Sequence, residues 1–174
     1  MRASVFVGVS LDGFIARENG DLDFLMPAQE EDNGFDAFLA NVDAVVMGRK
    51  TFETVLTFDS WPYGGRPVFV LSGTLSSIQG PPGSACELMN LPAAEVFARL
   101  EQRGFTHVYV DGGRTVQGFL GAGLIQNLTI TRVPVVIGRG VPLFGVVPRD
   151  IRLAHVRTRS FPSGFVQSEY RVVS

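Results

Sequence analysis

Short apolar runs alternate along this chain with segments whose apolar residues recur at helical spacing. Ala3 to Ser10 reads as a first strand. From Glu31 to Leu39, Phe35, Phe38 and Leu39 fall on one helical face. Ala44 to Met47 is apolar throughout, as a strand covered on both faces must be. A helix is predicted over Arg49 to Leu56, a strand over Pro67 to Leu71 and a short strand over Cys86 to Met89. Pro92 then suits a first helical turn, Ala93, Val96, Phe97 and Leu100 repeat at helical spacing, and Gly104 supplies a stop. His107 to Val110 is predicted as a strand, Thr115 to Leu120 as a helix and Gln126 to Val133 as a strand. The tail changes character. Arg152 to Thr158 and Phe165 to Val173 are extended segments joined by the turn-rich Ser160-Phe161-Pro162-Ser163-Gly164. Strand–helix repeats closed by a hairpin predict an α/β domain with a mostly parallel sheet and an antiparallel edge.

The 174 residues suit a single domain spanning 1–174, and a hydrophobic share of 45% is ordinary for a globular chain. The net charge of -2 is scattered, with no basic tract, which argues against nucleic acid as a partner. No stretch is long enough to span a bilayer, and the apolar run after Met1 is short and ended by Asp12, so no membrane association is expected. Cys86 is the single cysteine, which excludes an internal disulfide and fits a reducing, cytoplasmic setting. His107 and His155 stand apart without partners at ligand spacing, so no metal site is predicted.

Two strand ends carry the candidate chemistry. Met47-Gly48-Arg49-Lys50-Thr51 and Asp111-Gly112-Gly113-Arg114-Thr115 each run from a buried strand through glycine and a basic residue into a helix. Ligands of open α/β sheets collect at such carboxyl ends. A helix start carries partial positive charge and ordinarily prefers acids in its first turn. Arg49, Lys50 and Arg114 there, with glycine for close approach and a Thr hydroxyl, suit a phosphate. The strand ending Leu71-Ser72 brings small hydroxyls and no acid, which favours a 2′-phosphate and so NADP over NAD. Neither a GxGxxG opening nor a Walker glycine is present, since position 43 is Asp.

Met47 to Glu53 and Val68 to Ser72 resemble the corresponding strands of dihydrofolate reductases. Ser10-Leu11-Asp12-Gly13-Phe14-Ile15-Ala16, Val110-Asp111-Gly112-Gly113, Phe119-Leu120, Thr129-Ile130-Thr131 and Pro134 to Gly138 are similar to another branch of that superfamily. That branch is the C-terminal reductase domain of bacterial bifunctional riboflavin-biosynthesis deaminase/reductase proteins, with its stand-alone relatives. The resemblance covers most of the chain. It implies a dihydrofolate-reductase-like fold with an eight-stranded sheet, and NADPH along the carboxyl edge of that sheet. Gly48, Arg49, Lys50 and Thr51 would hold phosphate, Leu71 and Ser72 would line the adenosine side, and Gly112, Gly113, Arg114 and Thr115 would cradle the pyrophosphate. Gly8, Ile15 and Ala16 would face the nicotinamide.

The implied activity is hydride transfer to a C=N or C=O bond of a small soluble substrate, pterin-like or riboflavin-precursor-like. The proton-donor candidates are Asp111, Asp12 and Asp32, with Asp23 behind them. Asp111 leads because it ends a buried strand beside the glycine turn, where the riboflavin branch usually carries Glu. Asp32 falls near the position of a pterin-binding acid, and Arg66 matches an arginine that grips a folate tail. Two alternatives stay open: a true dihydrofolate reductase, and a nucleotide-binding module without catalysis. The apolar tail of the chain, where the riboflavin branch pairs its subunits, predicts a homodimer.

Overall fold

The computed structural model describes residues 1–25 and 31–173. Its elements in chain order begin with β1 (Arg2–Ser10), β2 (Phe14–Ala16), α1 (Phe35–Leu39), β3 (Ala44–Gly48), α2 (Arg49–Val55), β4 (Val68–Leu71) and β5 (Cys86–Met89). They continue with α3 (Ala93–Gln102), β6 (His107–Asp111), α4 (Gly113–Gly121), β7 (Asn127–Val133), β8 (Val141–Pro142), β9 (Arg152–Ser160) and β10 (Val166–Val173).

Eight strands form one sheet in the order β5-β4-β3-β6-β1-β7-β10-β9. From β5 to β7 every neighbour is parallel, and β10 and β9 continue the sheet antiparallel. This is the predicted fold class, with the C-terminal hairpin at one edge. The alternation of side chains along the central strands divides the core in two. Val5, Val7, Val46, Phe69, Val108 and Val110 pack with Val96, Leu100, Val116 and Phe119 of α3 and α4. Phe6, Val45, Met47, Val68, Val70 and Tyr109 pack with Leu39, Phe52 and Val55 of α1 and α2. Strands that bury both faces must be apolar at successive positions, which is why Ala44 to Met47 shows no alternation.

Two departures from the sequence reading have local causes. The helix expected from Glu31 begins only at Phe35. Asp32 and Asn33 take the amides of Gly34 (2.9 Å) and Phe35 (3.0 Å) with their side chains, and Gly34 lies at φ 81°. Such local side-chain bonds offer the backbone an alternative to helix. The small sheet β2–β8 was not foreseen, since runs of three and two residues carry no periodicity. No helix among the described residues is long and apolar enough to cross a membrane.

Candidate functional site

A cleft of about 1210 Å³ runs along the carboxyl ends of β4, β3, β6 and β1. Gly8, Ile15, Ala16, Gly48, Arg49, Lys50, Thr51, Leu71, Ser72, Gly112, Gly113, Arg114 and Thr115, which the sequence marked for a cofactor, all line it. Most come from the ends of the parallel neighbours β4, β3, β6 and β1 and from the starts of α2 and α4, whereas Ile15 and Ala16 come from β2, which pairs antiparallel with β8.

The two glycine junctions interlock. A Cβ built on Gly48 would stand 3.0 Å from Thr115 Oγ1, and one built on Gly112 would overlap Thr51 Oγ1. Each glycine thus faces the threonine of the other junction. Gly112 also holds φ 89° and ψ 139°, a conformation costly to any residue with a Cβ. A Cβ on Gly113 would meet Val141 Cγ1 at 2.7 Å and Ile15 Cδ1 at 3.3 Å, so the β2–β8 sheet is seated directly on this turn. The first turns of α2 and α4 contain no acid. Arg49 reaches back to Glu53 (2.6 Å) and across to Thr74 Oγ1 (3.3 Å), which places its guanidinium over the end of β4. The Ser72 hydroxyl there accepts from the amides of Thr74 and Leu75.

Asp111 enters the cleft from β6. Alternation along that strand puts it on the face of Tyr109. Its Oδ1 accepts the Gly112 amide at 2.8 Å. Burial pushes its carboxyl up to about 6, against the opposing pull of the Gly112 amide and Tyr109. Burial, reinforced by the neighbouring Asp111 charge, also holds the Tyr63 and Tyr109 hydroxyls well above the usual tyrosine range. Tyr109 donates to the Phe6 carbonyl at 2.9 Å.

The raised carboxyl has a consequence for stability. A group whose folded pKa exceeds its unfolded one favours folding below the unfolded value, and that advantage is lost as pH rises through the folded value. Between 3.8 and about 6, at about 1.4 kcal/mol per pH unit, ionised Asp111 costs the fold about 3 kcal/mol. Asp111→Asn is therefore expected to stabilise the protein at pH 7.5 by up to that amount and to give no gain at pH 4. Urea unfolding at the two pH values measures it, and an equal difference at both would remove the burial account.

The other carboxylates do not join Asp111. Asp12 accepts the amides of Gly138 (2.8 Å) and Ile137 (3.2 Å) and ties the loop after β1 to the segment before β8. The Ser10 hydroxyl and these amides hold its carboxyl below the usual range. Asp32 caps Gly34, and Asp23 pairs with Arg17 at 2.5 Å. None of the three lines the cleft. Arg66 is turned inward, with Nε donating to the Val42 carbonyl at 3.1 Å, and it too lies away from the cleft. His107 is held at the opposite end of the sheet by Ser4 Oγ (2.8 Å) and the Asn41 carbonyl (2.6 Å).

The sequence reading missed the far wall of the cleft. Phe6, Leu22, Leu25, Phe35, Phe58, Tyr63 and Tyr109 form it around Asp111. The period of two along β6 pairs Tyr109 with Asp111 and was the available signal. Phe58 and Tyr63 lie in irregular segments and gave none.

Comparison with known proteins agrees with this fold. The family model of the RibD C-terminal domain matches residues 4–167. A protein of Shewanella sp. PV-4, provisionally assigned to riboflavin biosynthesis, is 38% identical with a TM-score of 0.89, and each chain covers 100% of the other. The diaminohydroxyphosphoribosylaminopyrimidine deaminase/5-amino-6-(5-phosphoribosylamino)uracil reductase of Thermotoga maritima shares the fold at 16% identity and TM-score 0.73. There the match covers 99% of this chain and 56% of that one. A dihydrofolate reductase of Enterococcus faecalis, complexed with NADP(H), matches at 16% identity and TM-score 0.69, over 99% of this chain and 97% of that one. With a family match across nearly its whole length and a dihydrofolate-reductase-like sheet, the chain belongs to the RibD C-terminal domain family.

Proposed function

We propose that this protein is an NADPH-dependent reductase acting on a C=N or C=O bond of a small soluble substrate. One observation carries the reading: a single cleft joins a glycine cradle with basic helix starts to an aromatic lobe that holds a buried carboxyl. Family membership supports a reductase, and the Enterococcus faecalis enzyme of the same fold holds NADP(H).

The residues fit a dinucleotide. Gly112 and Gly113 let Thr51, Val141 and Ile15 pack against the turn and line the cleft at the start of α4, where first-turn backbone amides suit an anion. Arg114 would meet the pyrophosphate, and Arg49 and Ser72 the 2′-phosphate, with Lys50 and Thr51 between them. Gly8, Ile15 and Ala16 would face the nicotinamide, which when bound supplies hydride to the substrate. Asp111 would hold a substrate N–H or deliver the proton that completes the reduction. Asp111 lines the same cleft as the glycine turn and the aromatic side chains, so a substrate held there would have a proton source within the site.

NADPH should bind at least tenfold more tightly than NADH. One charge-assisted hydrogen bond is worth about 1.5–3 kcal/mol, and about 1.4 kcal/mol is a factor of ten. Arg49→Ala should shrink that gap, whereas Arg114→Ala should weaken both cofactors alike. Titration of both cofactors against the three proteins is the check, and equal wild-type affinities would remove the 2′-phosphate assignment. Oxidation of NADPH with pterins, riboflavin precursors and carbonyl compounds tests turnover. Binding with no turnover across that panel would mark a nucleotide-binding module instead.

A cytoplasmic homodimer completes the reading. Val136, Phe144, Val146, Leu153 and Val156 are exposed apolar residues of the last forty positions, the kind of surface that subunits cover. Light scattering at micromolar concentration is the test, and a monomer there would remove the dimer.

A further inference from the structure

Among the described residues, the cations of the cleft are confined to two helix starts, where Arg49 is already paired with Glu53. They are Arg49, Lys50 and Arg114, all in the first turns of α2 and α4. The other charged groups on the cleft walls, Glu18, Glu53 and Asp111, are acids. The lobe beyond Asp111 is walled by the rings of Phe6, Phe35, Phe58, Tyr63 and Tyr109.

The nearby guanidiniums are committed elsewhere. Arg17 pairs with Asp23, and Arg66 donates to the Val42 carbonyl. Arg159, beside Gly34, donates to Gln167 at 2.9 Å and stacks 4.8 Å from the Phe161 ring centroid. Residues 26–30, outside the described set, read Met-Pro-Ala-Gln-Glu and contain no basic side chain.

An anion placed in this lobe would meet aromatic side chains and an acid, with no cation of the described residues beside them. Burying a charge without a partner costs several kcal/mol, whereas flat neutral rings stack well on aromatic walls. We infer that the substrate is a planar, uncharged heteroaromatic molecule without a phosphate. This differs from the phosphoribosylated uracil named for the Thermotoga maritima protein of the same fold. The inference rests on the reductase reading only in taking the lobe as the substrate end of the cleft.

The test is a matched pair: 5-amino-6-(5-phosphoribosylamino)uracil and the same molecule lacking its phosphate, with a neutral pterin beside them. Dissociation constants are measured by calorimetry on the full chain, with and without saturating NADPH. The neutral member of the pair should bind at least tenfold more tightly. Phe58→Arg, at a lining ring that is itself exposed to solvent, should narrow that gap at least tenfold by supplying the missing cation. Equal or tighter binding of the phosphorylated member would overturn the proposal, as would the absence of binding by any neutral probe. Should NADPH fail to bind while the neutral preference holds, the reductase reading falls and the lobe assignment stands.

Discussion

Asp111→Asn is expected to lower turnover by about a hundredfold or more and to leave NADPH affinity within about twofold. A positioned proton donor contributes roughly 10²–10⁴ to rate. Asparagine keeps the shape and can still accept the Gly112 amide, so the cradle should survive. It cannot surrender a proton. The wild-type kcat/KM should fall as pH rises through about 6, the value to which burial lifts this carboxyl, and that limb should vanish in the variant. Steady-state rates across pH 5 to 8 on the best substrate of the panel, with cofactor titration alongside, provide the measurement. Parallel loss of turnover and NADPH affinity would make Asp111 a support for the glycine turn instead.

Gly112→Ala should abolish detectable binding of both NADPH and NADH and should lower stability by about 3 kcal/mol or more. A residue with a Cβ forced to this backbone conformation costs about 1–3 kcal/mol. The methyl group would in addition overlap Thr51 Oγ1 and press on Thr51 Cβ at 3.3 Å, so that the Thr51 side chain must leave its place in the junction. For a domain of this size, each kcal/mol corresponds to about 2–4 °C of melting temperature. Gly104→Ala is the control. Gly104 holds the same φ of 89°, yet a Cβ there meets nothing within 4 Å. That variant should lose some stability and keep cofactor affinity. Equal cofactor loss in both would show that destabilisation alone, and no local cradle, governs binding.

A strand such as Ala44–Gly48 declared itself because burial on both faces demands an unbroken apolar run. The two glycine junctions were legible because basic residues at helix starts run against the dipole. What joins them was not: Gly48 meets Thr115, and Gly112 meets Thr51, through strand pairing across more than sixty residues. Asp12 shows the same limit from the other side. As a loop carboxylate it qualified for chemistry, and only the fold brings it to the amides of Ile137 and Gly138. The aromatic lobe was hidden for a third reason. Phe6, Phe35 and Tyr109 also serve the core, and a core ring and a pocket ring look alike until the cavity beside them is known.

The central strand β1 is the first element of the chain and pairs with two that come late, Arg2 with His107 and Ser4 with Asn127. On the ribosome, the apolar segment Val5-Phe6-Val7-Gly8-Val9 therefore emerges long before either neighbour exists. At roughly 5–20 residues per second it waits on the order of 5–20 seconds with its ladder groups unpaired. β3 and β4 can pair with each other in that interval, but the sheet cannot close around β1 until β7 has left the exit tunnel. Nascent chains stalled before residue 133 should accordingly remain protease-sensitive at their N-terminus and engage chaperones. Chains extended well past it should protect that segment abruptly, as a single cooperative event.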